Sequence, residues 1–88
     1  MDTRKLVSIR IQQLCAQNNC SVNALAHRAG VPPTTLKNIL YGNSRNPGVV
    51  TIKKLCDGLG ISLQQFFDTE AFRSLEWEDA AEQNSANE

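Results

Sequence analysis

The sequence predicts an all-α fold: five helices, followed by a sixth helical segment toward the C-terminal end. Three observations carry this. Apolar residues recur at three- and four-residue steps, Ser21 and Ser62 stand where helix N-caps belong, and Gly30, Gly42 and Gly60 stand where helices stop. With 88 residues, 41% of them hydrophobic, the chain makes one small domain with a modest core and no room to enclose a large substrate.

In "TRKLVSIRIQQLCAQNN", Leu6/Val7, Ile11 and Leu14/Cys15 define one apolar face, so a first helix ends near Gln17 to Asn19. Ser21 caps the second, which runs over about 22–29, and Cys20 and Leu25 have the spacing of a hydrophobic staple across the cap. Gly30 closes that helix and Val31 points inward. Two prolines follow. Pro33 suits the first turn of a third helix, where its missing amide has no intrahelical partner anyway. Pro32 falls at the N-cap and offers no oxygen, so the first amides must be met by Thr34 or Thr35, by a ligand or by water.

The third helix spans about 33–41, with Leu36, Ile39 and Leu40 turned to the core and Thr34, Thr35, Lys37, Asn38 and Tyr41 left for other faces. After the turn "NSRNP", Val49, Ile52, Leu55, Cys56 and Leu59 make a fourth helix, and Ser62 opens a short fifth one, "LQQFF". Residues 68–88 form an acidic C-terminal segment, expected to start at an Asp68 cap, to stay helical to about 81 and then to be disordered. Its Phe72, Leu75 and Trp77 have two uses open to them: burial against a second subunit, making a homodimer, or packing back on their own domain.

The net charge of zero hides a split. Residues 1–56 hold eight Lys/Arg against the single acid Asp2, a net +7; residues 57–88 hold Arg73 against eight acids, a net −7. A basic body of this kind points to a polyanion partner. No run approaches the ~20 apolar residues of a membrane span, and the first residues lack a signal core, which predicts a cytoplasmic protein with no membrane partner. Enzyme classes fit poorly: there is no phosphate loop, no metal-ligand cluster and no nucleophile beside a base, so no cofactor, metal or small-molecule substrate is expected. Cys15, Cys20 and Cys56 match neither a disulfide framework nor a zinc knuckle and read as reduced core residues. His27, the single histidine, is read as a surface residue without a role.

Two short helices joined through Ala29, Gly30 and Val31 have the helix-turn-helix arrangement, whose second helix enters the DNA major groove. The stretch "SVNALAHRAGVPPTTLKNIL", with Leu25, Ala26, Gly30, Val31, Leu36 and Ile39 in step, resembles the lambda-repressor-like (XRE) helix-turn-helix family. "NPGVVTIKKLCDGLGISLQQFF" is similar to that family's helices four and five, so the resemblance covers residues 3–67. It implies that Pro33, Thr34, Thr35 and Asn38 face base edges, with Ser21, Tyr41, Asn43, Ser44 and Arg45 near phosphates. The chemistry suits these positions. Asn pairs a donor and an acceptor on adenine, Thr offers a hydroxyl and a methyl, and Pro33 offers only apolar contact; Lys37 reaches guanine or phosphate.

The chain departs from the family pattern in two places. Val22 stands where many members carry a phosphate-anchoring Gln, and Cys15 and Leu40 stand where an Arg–Glu pair is common. The resemblance implies a sequence-specific transcriptional regulator that reads an inverted-repeat operator as a dimer. The competing reading is a protein-interaction adaptor or antitoxin-like module built on the same fold.

Overall fold

The structure is a computed structural model and describes residues 2–44 and 46–78. Among the described residues six helices follow one another: α1 Thr3–Gln17, α2 Val22–Ala29, α3 Pro33–Leu40, α4 Val49–Leu59, α5 Leu63–Phe67 and α6 Glu70–Arg73. No strand occurs among the described residues.

The ends of these helices follow from local chemistry. Asp2 caps α1 by accepting the Lys5 amide at 2.8 Å, and Ser21 caps α2 by accepting the Ala24 amide at 3.0 Å. Ser62 and Gln65 form a reciprocal capping box on α5. At the ends of α2 and α4, Gly30 (φ 67°) and Gly60 (φ 73°) take the left-handed conformation. The next amide then reaches back into the last turn in each case, Val31 to the Ala26 carbonyl and Ile61 to that of Cys56, both at 3.0 Å. The same lock thus turns Val31 and Ile61 onto the core at two places.

The core gathers Ile11 from α1, Leu25 from α2, Leu36 from α3, Leu55 and Cys56 from α4 and Phe66 from α5, each fully enclosed. Helix α2 makes its most extensive contact with α4. Gly58 of α4 faces Ala29 of α2, and a Cβ at position 58 would lie 3.2 Å from the Ala29 Cβ and backbone nitrogen and from Leu25 Cδ1. An alanine there gains about 1 kcal/mol of helix propensity and loses a comparable amount to compression, so Gly58→Ala is expected to be near neutral. Gly58→Leu must push the two helices apart and is expected to lower stability by about 2–3 kcal/mol, read as a shift of the urea midpoint.

Three long-range hydrogen bonds, from two side chains, fix α1 to the rest. The buried Ser8 hydroxyl donates to the Leu40 carbonyl at 2.9 Å, anchoring the end of α3. Arg10 donates from Nε to the Phe66 carbonyl at 2.7 Å and from Nη2 to that of Gln65 at 2.9 Å, closing the end of α5. Arg10 is therefore committed to the fold and is withdrawn from the basic surface.

The C-terminal segment departs from expectation. Thr69, not Asp68, caps α6, accepting the Phe72 amide at 3.3 Å, while Asp68 pairs with Arg73 at 2.6 Å. The helix expected to continue to about 81 ends at Arg73. Glu76 and Glu78 would place negative charge at its C-terminal end, against the helix dipole, and a single turn has too few backbone bonds to oppose that. Phe72 packs, half-buried, on its own domain, with its ring centroid 5.0 Å from Phe67 and 6.3 Å from Phe66. Residues 79–88, including the expected disordered end, lie outside the described residues.

Candidate nucleic-acid interface

Helix α3 is sealed on one side and open on the other. Leu36, Ile39 and Leu40 are buried, whereas Pro33, Thr34, Lys37 and Tyr41 are exposed, and Thr35 and Asn38 lie half-buried along the flanks. Thr34, Lys37, Asn38 and Tyr41 recur at three- and four-residue intervals and so share one face. Tyr41 is the C-cap, its amide bonded to the Lys37 carbonyl at 2.9 Å, so the helix ends one residue short of the expected 41.

The start of α3 has no side-chain cap and no acid in its first turn. Pro33 removes one orphan amide, and the hydroxyls of Thr34 and Thr35 do not cap the others. Donors and the positive end of the helix dipole therefore remain open to an anion or a base-edge acceptor.

The loop after α3 folds back on the helix. Both the Asn43 and Ser44 amides donate to the Asn38 carbonyl, at 2.9 and 3.0 Å, through a turn that Gly42 permits at φ 82°. This brings Asn43 and Ser44 beside Asn38. Arg45 lies outside the described residues. Ser21 sits apart from this group, exposed at the start of α2. Its oxygen already accepts the Ala24 amide, which leaves the hydroxyl proton available to a phosphate. Val22 is half-buried against the core, so at this helix start the polar contacts available come from Ser21 and the backbone.

Charge is distributed less simply than the sequence implied. Lys53 pairs with Asp57 one turn away on α4, Arg10 is held by α5, and Arg4 lies 3.9 Å from Asp2. The withdrawal of Arg10 was not legible from its spacing in α1, since its acceptors lie more than fifty positions away.

All three cysteines are buried. Burial pushes the Cys15 and Cys56 thiols above the ordinary range, with Cys20 and Asp57 respectively adding to the effect. That is the opposite of what an activated nucleophile needs. No helix among the described residues is long and apolar enough to cross a membrane.

Comparison with known proteins agrees with this geometry. Residues 10–71 match the Cro/C1-type HTH DNA-binding domain. Among solved structures, prophage Lp1 protein 11 is similar at 32% identity and a TM-score of 0.75, over 84% of this chain and 97% of that one. A chain of the SinR protein/SinI protein complex is similar at 25% identity and a TM-score of 0.65, over 92% of this chain and 75% of that one. No curated protein matches the chain. A family match over more than half of the chain, together with the exposed second helix of a helix-turn-helix, leads to one conclusion: the chain belongs to the Cro/C1-type HTH DNA-binding domain family.

Proposed function

We propose that the protein is a sequence-specific transcriptional regulator, acting in the cytoplasm, that reads an inverted-repeat operator as a dimer through α3. The observation that carries this reading is the open face of α3, polar and uncapped at its N-terminal end, on a helix whose opposite face is fully packed. In this reading Thr34, Thr35 and Asn38 face base edges, with Pro33 in apolar contact and Lys37 on guanine or phosphate. Ser21, Tyr41, Asn43, Ser44 and Arg45 hold phosphates and set the register.

A helix of 8 residues is about 12 Å long and reads only a few base pairs, which is why two copies are needed. Phe72 is half-buried against its own core, which leaves Leu75 and Trp77 of the apolar C-terminal residues for a second subunit, and to these we add Val49 and Val50 as the main contact between copies. They are 63% and 66% exposed at the start of α4, next to the loop that follows α3. Val49 also lines an apolar groove with Leu63 and Phe67. A duplex with two half-sites about 34 Å apart is expected to bind two copies cooperatively, and Val50→Lys to abolish the cooperativity while leaving half-site binding. Sedimentation of the complexes checks this; a single copy per duplex contradicts it.

A second reading, a module that works through a protein partner, draws on the SinR/SinI neighbour, which is a complex of two proteins. Duplex affinity that falls steeply with salt favours the first reading, and its absence at low salt favours the second.

A further inference from the structure

Among the described residues, Ser8 is the one side chain bearing a hydroxyl, an amide or a charge that is buried. A serine inside a helix ordinarily turns its hydroxyl back to a carbonyl of its own preceding turn. Ser8 instead donates to the Leu40 carbonyl at 2.9 Å, thirty-two positions along the chain. Its oxygen accepts the Gln12 side-chain amide at 3.2 Å, which leaves the hydroxyl proton for Leu40.

The Leu40 carbonyl belongs to the last turn of α3, where a helix has no internal partners to offer. The neighbouring carbonyls are met locally: that of Lys37 by the Tyr41 amide, and that of Asn38 by the Asn43 and Ser44 amides. Those bonds tie the following turn to α3 but do not tie α3 to anything else. Among the described residues, the Ser8 bond is the one hydrogen bond that joins α3 to another helix. Burial of Leu36, Ile39 and Leu40 sets how deeply α3 sits, yet apolar contact is non-directional and fixes rotation and slide poorly. There is also room to move. A cavity of about 790 Å³ adjoins this end of α3, lined by Ser8, Ile39, Leu40, Tyr41 and Gly42 together with the first turn of α1 and residues 75–78.

We infer that Ser8 is a positioning residue for α3: its hydroxyl fixes the rotation and axial position of the helix end and, through the turn hung on it, aims Asn38, Asn43 and Ser44. The role rests on the DNA-binding reading of α3. Ser8, being buried, itself touches neither base nor phosphate.

Ser8→Ala tests the role. Alanine is the better helix former and removes a single oxygen, so the chain still folds. In the free protein, hydrogen exchange followed by NMR is expected to quicken about fivefold at the Tyr41, Asn43 and Ser44 amides, the factor that one net hydrogen bond is worth. The Leu25 amide of α2 is expected to keep its rate. In selection from random duplexes, Ser8→Ala is expected to lose preference at the bases that Asn38→Ala also loses, and its ratio of selected-site to random-duplex affinity to fall about threefold. Cys56→Ala truncates a fully buried side chain on α4 without touching the tether, and is expected to keep both the bases and the ratio. Unchanged exchange at the Tyr41, Asn43 and Ser44 amides overturns the tether. Faster exchange with the selected bases intact overturns the positioning role, and so does an equal loss of preference in Cys56→Ala. A wild-type chain that binds no duplex at low salt overturns the DNA-binding reading and the role with it, while the exchange rates still report on the tether.

Discussion

Phe66→Ala is expected to lower the unfolding free energy by about 3–5 kcal/mol, out of the roughly 5–15 kcal/mol that a domain of this kind possesses. The ring is fully enclosed and stands edge-on to Phe67 with centroids 4.8 Å apart. It also joins elements that have little else in common. Its backbone carbonyl receives Arg10 from α1, and the Phe67 and Phe72 rings that surround it hold α5 and α6. Removing the ring leaves a cavity that these short helices cannot close without breaking the Arg10 bonds. Urea denaturation followed by circular dichroism checks the result, with the midpoint falling and the slope preserved. Trp77→Ala is the natural contrast, because a side chain that is 95% exposed contributes within about 0.5 kcal/mol. A small effect at Phe66 would mean that the core is not organised around this residue.

The second large effect separates binding from folding. Thr34 lies in the first turn of α3, where there is no acid and no side-chain cap. Thr34→Glu adds a negative charge at the positive end of the helix dipole, which stabilises the helix by about 0.3–1 kcal/mol. In the proposed DNA complex the same charge faces phosphates and the acceptor edges of bases, where like-charge juxtaposition costs several kcal/mol. Duplex affinity is therefore expected to fall by about 100-fold or more while the melting temperature holds or rises. Fluorescence anisotropy and thermal unfolding on the same sample check both halves. Affinity that survives the substitution would place the DNA contact elsewhere on the molecule.

What the sequence made legible was chiefly local. Ser21, Ser62, Gly30 and Gly60 act within one turn of themselves, so the helix boundaries they set could be read from neighbouring residues alone. Pro33 did the same for the start of α3, and the spacing of Leu36, Ile39 and Leu40 told the buried face from the open one. What could not be read depends on partners far along the chain. Gly58 carried no signal in the spacing of α4, and only its approach to Ala29 gives it a purpose. Arg10 looked like surface charge until its acceptors on α5 came into view. Ser8 gave no signal at all, yet it tethers the end of α3.

The C-terminal segment shows the same limit from the other side. Its apolar spacing favoured a longer helix, but Phe72 alone found a place on the core, and the acids beyond it opposed continuation. For the interface, the residue types of α3 were legible because a helix face is periodic. The return of Asn43 and Ser44 onto the Asn38 carbonyl was not, because loop closure has no period to read.

Whether α3 reads DNA sequence is decided by selecting binding sites from a random duplex pool with the purified protein at low and moderate salt. The expected result is an inverted repeat with half-sites spaced by one helical turn, ~34 Å, whose selected bases change when Thr34, Thr35 or Asn38 is replaced by alanine. Recovery of no motif, together with no duplex binding even at low salt, would contradict it.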